Sequence, residues 1–236
     1  NLVSRLIVRA LAEASCIKSQ IPLGLDNVEK INSDSVSYAD PIKALLAGHV
    51  RSVTVHPDGT MVAEEPVRGG VLPGSFNPLH EGHELLAAVA ARTLNDQVTF
   101  ELSVVNVDKP PFGEVEIRRR LAQFKGKASI VLTCAMVFRE KASLLHGCTF
   151  VVGWDTVVRL VDPRYYGGEE IKMLTSLDEM KQRGCRFLVA GRTDGETFHT
   201  LSEIDIPQGL DDMFTSISET EFRCDLSSTN LRLPEK

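Results

Sequence analysis

An α/β doubly wound parallel sheet is the fold class that this 236-residue sequence predicts, and three observations carry it. From Gly69 onward, short apolar runs alternate with longer stretches of helical period. Several of those runs are apolar at successive positions, as strands covered on both faces are. The turn between the first run and the first helical stretch is rich in Gly and Pro, the chemistry of a tight strand-to-helix passage. Repetition of this kind joins parallel strands through right-handed helical crossovers and places ligands beyond the carboxyl ends of the strands.

Taken in order, Leu2 to Ala14 carries Val3, Leu6, Ile7, Ala10 and Leu11 at helical spacing, with Arg5 and Arg9 on other faces, and predicts an amphipathic helix. Residues 15–40, with Pro22, Gly24 and several Asn and Ser, read as a connector. Val50 to Val55 and Thr60 to Ala63 flank His56-Pro-Asp-Gly59, which predicts a β-hairpin. Residues 1–66 are therefore expected to form a helix, connector and hairpin appendage to a domain spanning 67–236. In that domain Val71 to Pro73, Val98 to Val105, Ser129 to Leu132, Thr149 to Val152 and Arg186 to Ala190 are the strand candidates. The helix candidates are Glu81 to Leu94, with Leu85, Leu86, Val89 and Leu94 on one side, Val115 to Phe124, with Ile117, Leu121 and Phe124, and Met136 to Leu145.

Composition narrows the function classes. Lys and Arg number 26 against 32 Asp and Glu, for a net charge of −6 and a pI near 5.6. That balance supplies no general attraction to polyphosphate backbones, so no nucleic-acid partner is expected. The longest apolar runs, such as Leu85 to Ala91, fall short of the ~18–20 residues needed to cross a bilayer, and a soluble chain without a membrane partner is expected. Five scattered cysteines without a C-x-x-C pair argue against a disulfide framework or a zinc knuckle. They fit an intracellular, reducing compartment: the cytoplasm first, an organelle matrix second. The start at Asn1, without a signal-peptide pattern, leads us to expect a processed or incomplete amino terminus. His49, His56, His146 and His199 lack a second ligand at metal spacing, so no protein-held metal is expected. Neither a G-x-S-x-G elbow nor a Walker A sequence occurs.

The chemistry concentrates in Gly74-Ser-Phe-Asn-Pro-Leu-His80-Glu-Gly82-His83, directly after the first strand of the domain. Gly74 lets backbone approach a ligand, Pro78 stiffens the turn, and the free N–H groups of the following helix make an anion site. Two histidines at i and i+3 on a first helical turn aim both imidazoles to one side, and Gly82 between them leaves room for a phosphate.

These ten residues resemble the nucleotidylyltransferase superfamily, with its (H/T)-x-G-H signature, and within it the nicotinamide/nicotinate mononucleotide adenylyltransferases. A second stretch, Leu226-Ser-Ser-Thr-Asn-Leu-Arg232, matches the family's I-S-S-T-x-[IL]-R except at its opening Leu. The two lie about 150 residues apart, and the resemblance covers roughly two-thirds of the chain, Gly69 to Arg232. It implies a Rossmann-like nucleotidylyltransferase fold that binds ATP and a small phosphorylated acceptor. An acceptor phosphate would attack the α-phosphorus of ATP in line and release pyrophosphate, with Mg²⁺ carried by the ATP phosphates and no covalent enzyme intermediate. By the match, His80 and His83 hydrogen-bond the phosphates, while Gly74, Ser75, Phe76 and Asn77 offer the loop to the nucleotide. Ser227, Ser228 and Thr229 cap a helix facing the β- and γ-phosphates, and Arg232 adds a charge.

Looser matches follow. Lys109, in Asn106-Val-Asp-Lys-Pro-Pro, stands where related enzymes often carry a phosphate-reaching lysine, although a solvated loop lysine fits as well. Arg139 and Lys141 in Phe138-Arg-Glu-Lys141-Ala resemble the family's helix after the third strand, or form a solvated helix face. Trp154 and Asp155 resemble the family's G-x-D segment, where the aspartate seats the nucleotide, with helix capping as the plainer alternative. The aromatic residue that stacks on the acceptor's pyridine ring has only a loose counterpart in Tyr165 or Tyr166, so acceptor identity stays open. Cytidylyltransferases and phosphopantetheine adenylyltransferases are alternatives, as is a non-catalytic transferase-fold subunit of a larger assembly. Similar eukaryotic chains can carry a CinA-like domain ahead of the transferase, and Leu2 to Ala14 is compatible with its trailing edge.

Overall fold

The computed structural model describes residues 2–14, 21–22, 24, 40–105, 110–194 and 197–223. Contacts divide the chain into two compact units, Asn1–Ser37 and Tyr38–Lys236. In the first, α1 (Leu2–Ala14) forms where its apolar spacing predicts, with Val3, Ile7 and Leu11 exposed, and Arg5 donates to the Pro22 carbonyl at 3.3 Å.

The second unit opens with a short helix, α2 (Pro41–Leu46), directly after the expected connector and at a position where the sequence reading named no element. Asp40 caps it by accepting from the Ile42 N–H at 3.0 Å, Pro41 takes the first-turn position where no N–H is needed, and Ile42 and Leu45 are fully buried. The hairpin follows as β1 (Ser52–Val55) and β2 (Met61–Ala63), turned by an Asx contact from the Thr60 N–H to Asp58 at 2.8 Å. Then come β3 (Gly70–Pro73), α3 (Glu81–Leu94), β4 (Val98–Ser103), α4 (Glu114–Leu121) with a closing 3₁₀ turn at Ala122–Phe124, β5 (Ile130–Thr133), α5 (Phe138–Leu144) and β6 (Thr149–Gly153). The chain continues through α6 (Trp154–Leu160), α7 (Glu170–Gln182) and β7 (Arg186–Ala190). A separate two-stranded ribbon, β8 (Arg192–Asp194) and β9 (Thr197–His199), and β10 (Phe214–Ser216) complete it.

The main sheet runs β10-β7-β6-β3-β4-β5-β1-β2. The six strands from β10 to β5 are mutually parallel, while β1 pairs antiparallel with both β5 and β2. The hairpin expected as an appendage thus forms the edge of the central sheet. All four β1 residues are buried because neighbours lie on both sides, with Val53 opposite both Leu132 and Ala63. Side chains alternate between two core layers. Phe100, Leu102, Ile130 and Leu132 pack with Ile42, Val89, Ile117 and Phe124 on one face. Val71, Val131, Phe150 and Phe187 pack with Ala142, Val157, Leu177 and Met180 on the other. Helices on both faces of a mostly parallel sheet confirm the doubly wound class. Chain order reverses at β3, whose neighbours are β4 on one side and β6 on the other, and a switch of that kind opens a crevice at the strand ends. Among the described residues no helix is long and apolar enough to cross a membrane.

Candidate active site

The loop leaving β3 at that crevice is the sequence-singled turn. The Gly74 N–H donates to the Glu101 carbonyl at 2.9 Å, tying the turn to the end of β4. A Cβ on Gly74 would stand 2.6 Å from the Phe76 ring, so only glycine lets that ring fold back. Phe76 takes φ +45° and is fully buried, its ring edge-on to Phe100 and Phe124 at 5.3 Å and to His83 at 5.1 Å. This left-handed conformation is strained for a bulky residue, and the burial of the ring holds it there.

α4 supplies the scaffold behind the turn. Gln123, just past its end, accepts from the Leu79 N–H at 2.8 Å and donates to the Phe76 carbonyl at 3.0 Å. Arg120, buried, donates to the Ser75 carbonyl and, at 2.7 Å, to Glu116, with its guanidinium 4.1 Å from the centre of the Phe112 ring. Arg119 donates to the Asn77 side-chain oxygen at 2.6 Å. Ser75, Phe76, Asn77 and Leu79 are therefore all held from outside the loop, so the open side of the turn is pre-organised.

His80 caps α3 and His83 is its third residue. The His80 N–H donates to Nδ1 of His83 at 3.3 Å, and the two rings stack with centroids 3.7 Å apart. Burial, then the neighbouring His80, holds the His83 pKa down at about 4, and burial lowers that of His80. Both imidazoles are neutral at pH 7, and His83 keeps its proton on Nε2. Gly82 between them is buried in the helix.

A cleft of about 620 Å³ lies at the carboxyl ends of β3, β4 and β6. Its polar wall carries Gly74, Ser75, His83, Ser103, Thr156 and Arg159, and its apolar wall carries Phe112, Met136 and Phe138. Glu101 and Lys141 form part of its lining as a buried ion pair. Lys141 Nζ lies 2.7 and 2.6 Å from the two Glu101 oxygens, and Thr133 donates to one of them at 2.6 Å.

The structure thus brings Gly74, Ser75 and His83 to one cleft. Gly153 at the end of β6 and Thr156 and Arg159 of α6 also line it. Asp155 instead pairs with Arg192, and Trp154 stacks on His199 at 4.7 Å. Tyr165 is exposed, and the Tyr166 hydroxyl donates to the Leu160 carbonyl at 2.9 Å, so neither joins the lining. Lys109, Ser227, Ser228, Thr229 and Arg232 lie outside the described residues. Lys141 departs from the solvated-face alternative: it is 6% exposed because its face of α5 turns toward β4, whereas Arg139 is exposed and pairs with Glu179. Sequence reasoning passed over Glu101, Arg120 and Gln123. For Glu101 a signal exists, a lone carboxylate inside the apolar strand Val-Thr-Phe-Glu-Leu-Ser. Among the described residues no group of three His, Cys, Asp or Glu is placed to hold a metal.

The family model for cytidylyltransferase-like proteins matches residues 71–233. A stretch of 57 residues is 49% identical to the probable nicotinate-nucleotide adenylyltransferase of Gluconobacter oxydans (strain 621H). That stretch takes in 24% of this chain and 29% of the relative, so the chain matches under a third of that relative's length.

Proposed function

The chain belongs to the cytidylyltransferase-like family, and from that premise we propose that it is a nucleotidylyltransferase that transfers AMP from ATP to a pyridine mononucleotide, nicotinate or nicotinamide mononucleotide. The observation that carries this reading is the pair of neutral, stacked imidazoles at the amino end of α3, one of them lining the switch-point cleft. The named relative supports a pyridine nucleotide as acceptor.

In this reading an oxygen of the acceptor's phosphate attacks the α-phosphorus of ATP, the bond from that phosphorus to the pyrophosphate oxygen breaks, and pyrophosphate leaves. Such a transfer needs positioning and charge stabilisation rather than a nucleophilic side chain. Nε2–H of His83 donates to a phosphate oxygen, and the first N–H groups of α3, with the positive end of its dipole, attract the same anion. Neutral donors suit this chemistry because they hold oxygens without a protonation change during the transfer. Glu101, the one carboxylate on the described lining, has its oxygens taken by Lys141 and Thr133. A magnesium ion entering with ATP would therefore be held by the nucleotide's phosphates and water, as Mg²⁺ commonly is.

The test is pyrophosphate release with ATP, and separately CTP, against nicotinate mononucleotide, nicotinamide mononucleotide, 4′-phosphopantetheine and a phosphorylated alcohol. We expect release with ATP and a pyridine mononucleotide. His83→Ala should lower turnover about 10²–10³-fold in folded protein, the usual consequence of losing one transition-state donor. Release with another acceptor alone, or unchanged turnover in the variant, overturns the reading.

A further inference from the structure

We propose that Lys141 holds a phosphate oxygen of the substrates from the floor of the cleft, and that Glu101 is the residue that positions it. The inference rests on the transferase reading above and gives a role to a lysine that the sequence left between a family-like helix and a solvated face.

Glu101 sits in the middle of β4 between Phe100 and Leu102, and its side chain is 1% exposed. On that side of the sheet Val71 and Val131 are among its apolar neighbours, and Thr133 is the polar one that donates to it. Removing a carboxylate and an ammonium from water is expensive, and a buried pair gains little stability over apolar residues of similar volume. Stability therefore gives a weak account of why these two charges stand here. Their place in the molecule gives a better one, since both lie on the lining of the cleft that holds His83 and the Gly74 turn.

Glu101 also does two things at once. Its backbone carbonyl accepts the Gly74 N–H at 2.9 Å, and its carboxylate accepts from Lys141 at 2.7 and 2.6 Å. One residue thus sets the separation between the phosphate-facing turn and the ammonium. Two of the three Lys141 N–H donors serve Glu101, and the third has no partner among the described residues. A compact ammonium on a nearly dry floor, with one donor remaining, recognises a phosphate oxyanion as a point charge. Arg159, the other side-chain cation on the described lining, is exposed, so Lys141 is the cation that water screens least.

The phosphate held could belong to the acceptor or to the nucleotide triphosphate, and the experiment separates the two. In the full chain, replacing both residues together, Glu101→Leu with Lys141→Met, removes the pair without leaving a charge buried alone. That double variant is expected to fold with an unfolding midpoint near that of the parent. Its turnover should fall, with an affinity loss of about tenfold to 100-fold for the substrate whose phosphate Lys141 holds, the worth of one charge-assisted hydrogen bond. A raised KM for the mononucleotide alone assigns the acceptor phosphate, and a raised KM for ATP alone assigns the nucleotide. Lys141→Arg, which keeps the pair, should retain part of the activity. A folded double variant with parental kinetics overturns the proposal.

A second measurement needs neither a variant nor turnover. In the parent chain the side-chain NMR signal of Lys141 should move on titration with pyrophosphate or a pyridine mononucleotide. An unmoved signal while His83 responds counts against Lys141 alone. A moved signal in a chain that releases no pyrophosphate with any acceptor supports the Lys141 site and counts against the pyridine-nucleotide reading.

Discussion

The backbone N–H of His80 donates to Nδ1 of His83 across 3.3 Å, which dictates where the second imidazole keeps its proton. With Nδ1 occupied as an acceptor, the neutral ring carries its hydrogen on Nε2. Burial and the stacked His80 hold the ring neutral, with a pKa of about 4 against an ordinary 6.5. In the unfolded chain the same side chain takes a proton near pH 6.5, so between roughly pH 6.5 and 4 the unfolded state binds more protons. Stability associated with His83 is therefore complete above that window and is lost as the pH falls through it. The depression corresponds to roughly 3 kcal/mol before solvent screening of the partly exposed ring reduces it. Urea unfolding at pH 7 and pH 4.5 should show a larger loss in the parent than in His83→Gln. Equal losses, or an Nδ1–H tautomer in nitrogen-detected NMR, would sink the assignment.

Gly74 and Phe76 should be coupled in energy as they are in space. Gly74→Ala places a methyl group 2.6 Å from the ring of Phe76 and is expected to destabilise by about 1–3 kcal/mol through overpacking. In a Phe76→Leu background the same change should be milder, because the atoms it strikes are gone. A double-mutant cycle measured by denaturant unfolding reads the coupling. Additive effects would mean that the methyl group is accommodated by moving the backbone instead of the ring.

Arg120 fixes the Ser75 carbonyl while bonded to Glu116 and stacked on Phe112. Arg120→Met leaves that carbonyl without its partner and should destabilise by about 1–3 kcal/mol, with a larger proportional loss of turnover because the turn that lines the cleft loosens. Arg120→Lys should not rescue, since one ammonium cannot reach two acceptors and cover an aromatic face as a planar guanidinium does. A lysine variant with parental stability and kinetics would remove Arg120 from the scaffold.

What the sequence made legible was local. Alternating apolar runs placed β3 to β7, helical period placed α1, α3, α4 and α5, and Gly74 to His83 marked the turn at the crevice. What stayed hidden depends on partners far along the chain. Glu101 and Lys141 are 40 residues apart and meet only once α5 packs on the sheet. Arg120 reads as one of three arginines on an exposed helix until the loop 45 residues before it folds back to meet its guanidinium. The hairpin was recognisable from its Pro-Asp-Gly turn, yet its choice of β5 as a second neighbour has no local signature.

That choice of neighbour has a consequence for where the domain can be cut. A fragment beginning at residue 67 lacks α2 and β1, removing Ile42, Leu45, Val53 and Val55 from one core layer. It also opens the flank of β5, whose residues Ile130, Val131, Leu132 and Thr133 are all buried. An apolar strand with a free edge recruits further strands, so this fragment should aggregate or fail to fold. A fragment beginning at Tyr38 keeps the eight-stranded sheet intact and should unfold in one cooperative transition. Size-exclusion chromatography and denaturant unfolding of the two fragments decide the matter. A monomeric, cooperatively folded fragment from residue 67 would show that the hairpin is dispensable to the sheet it borders.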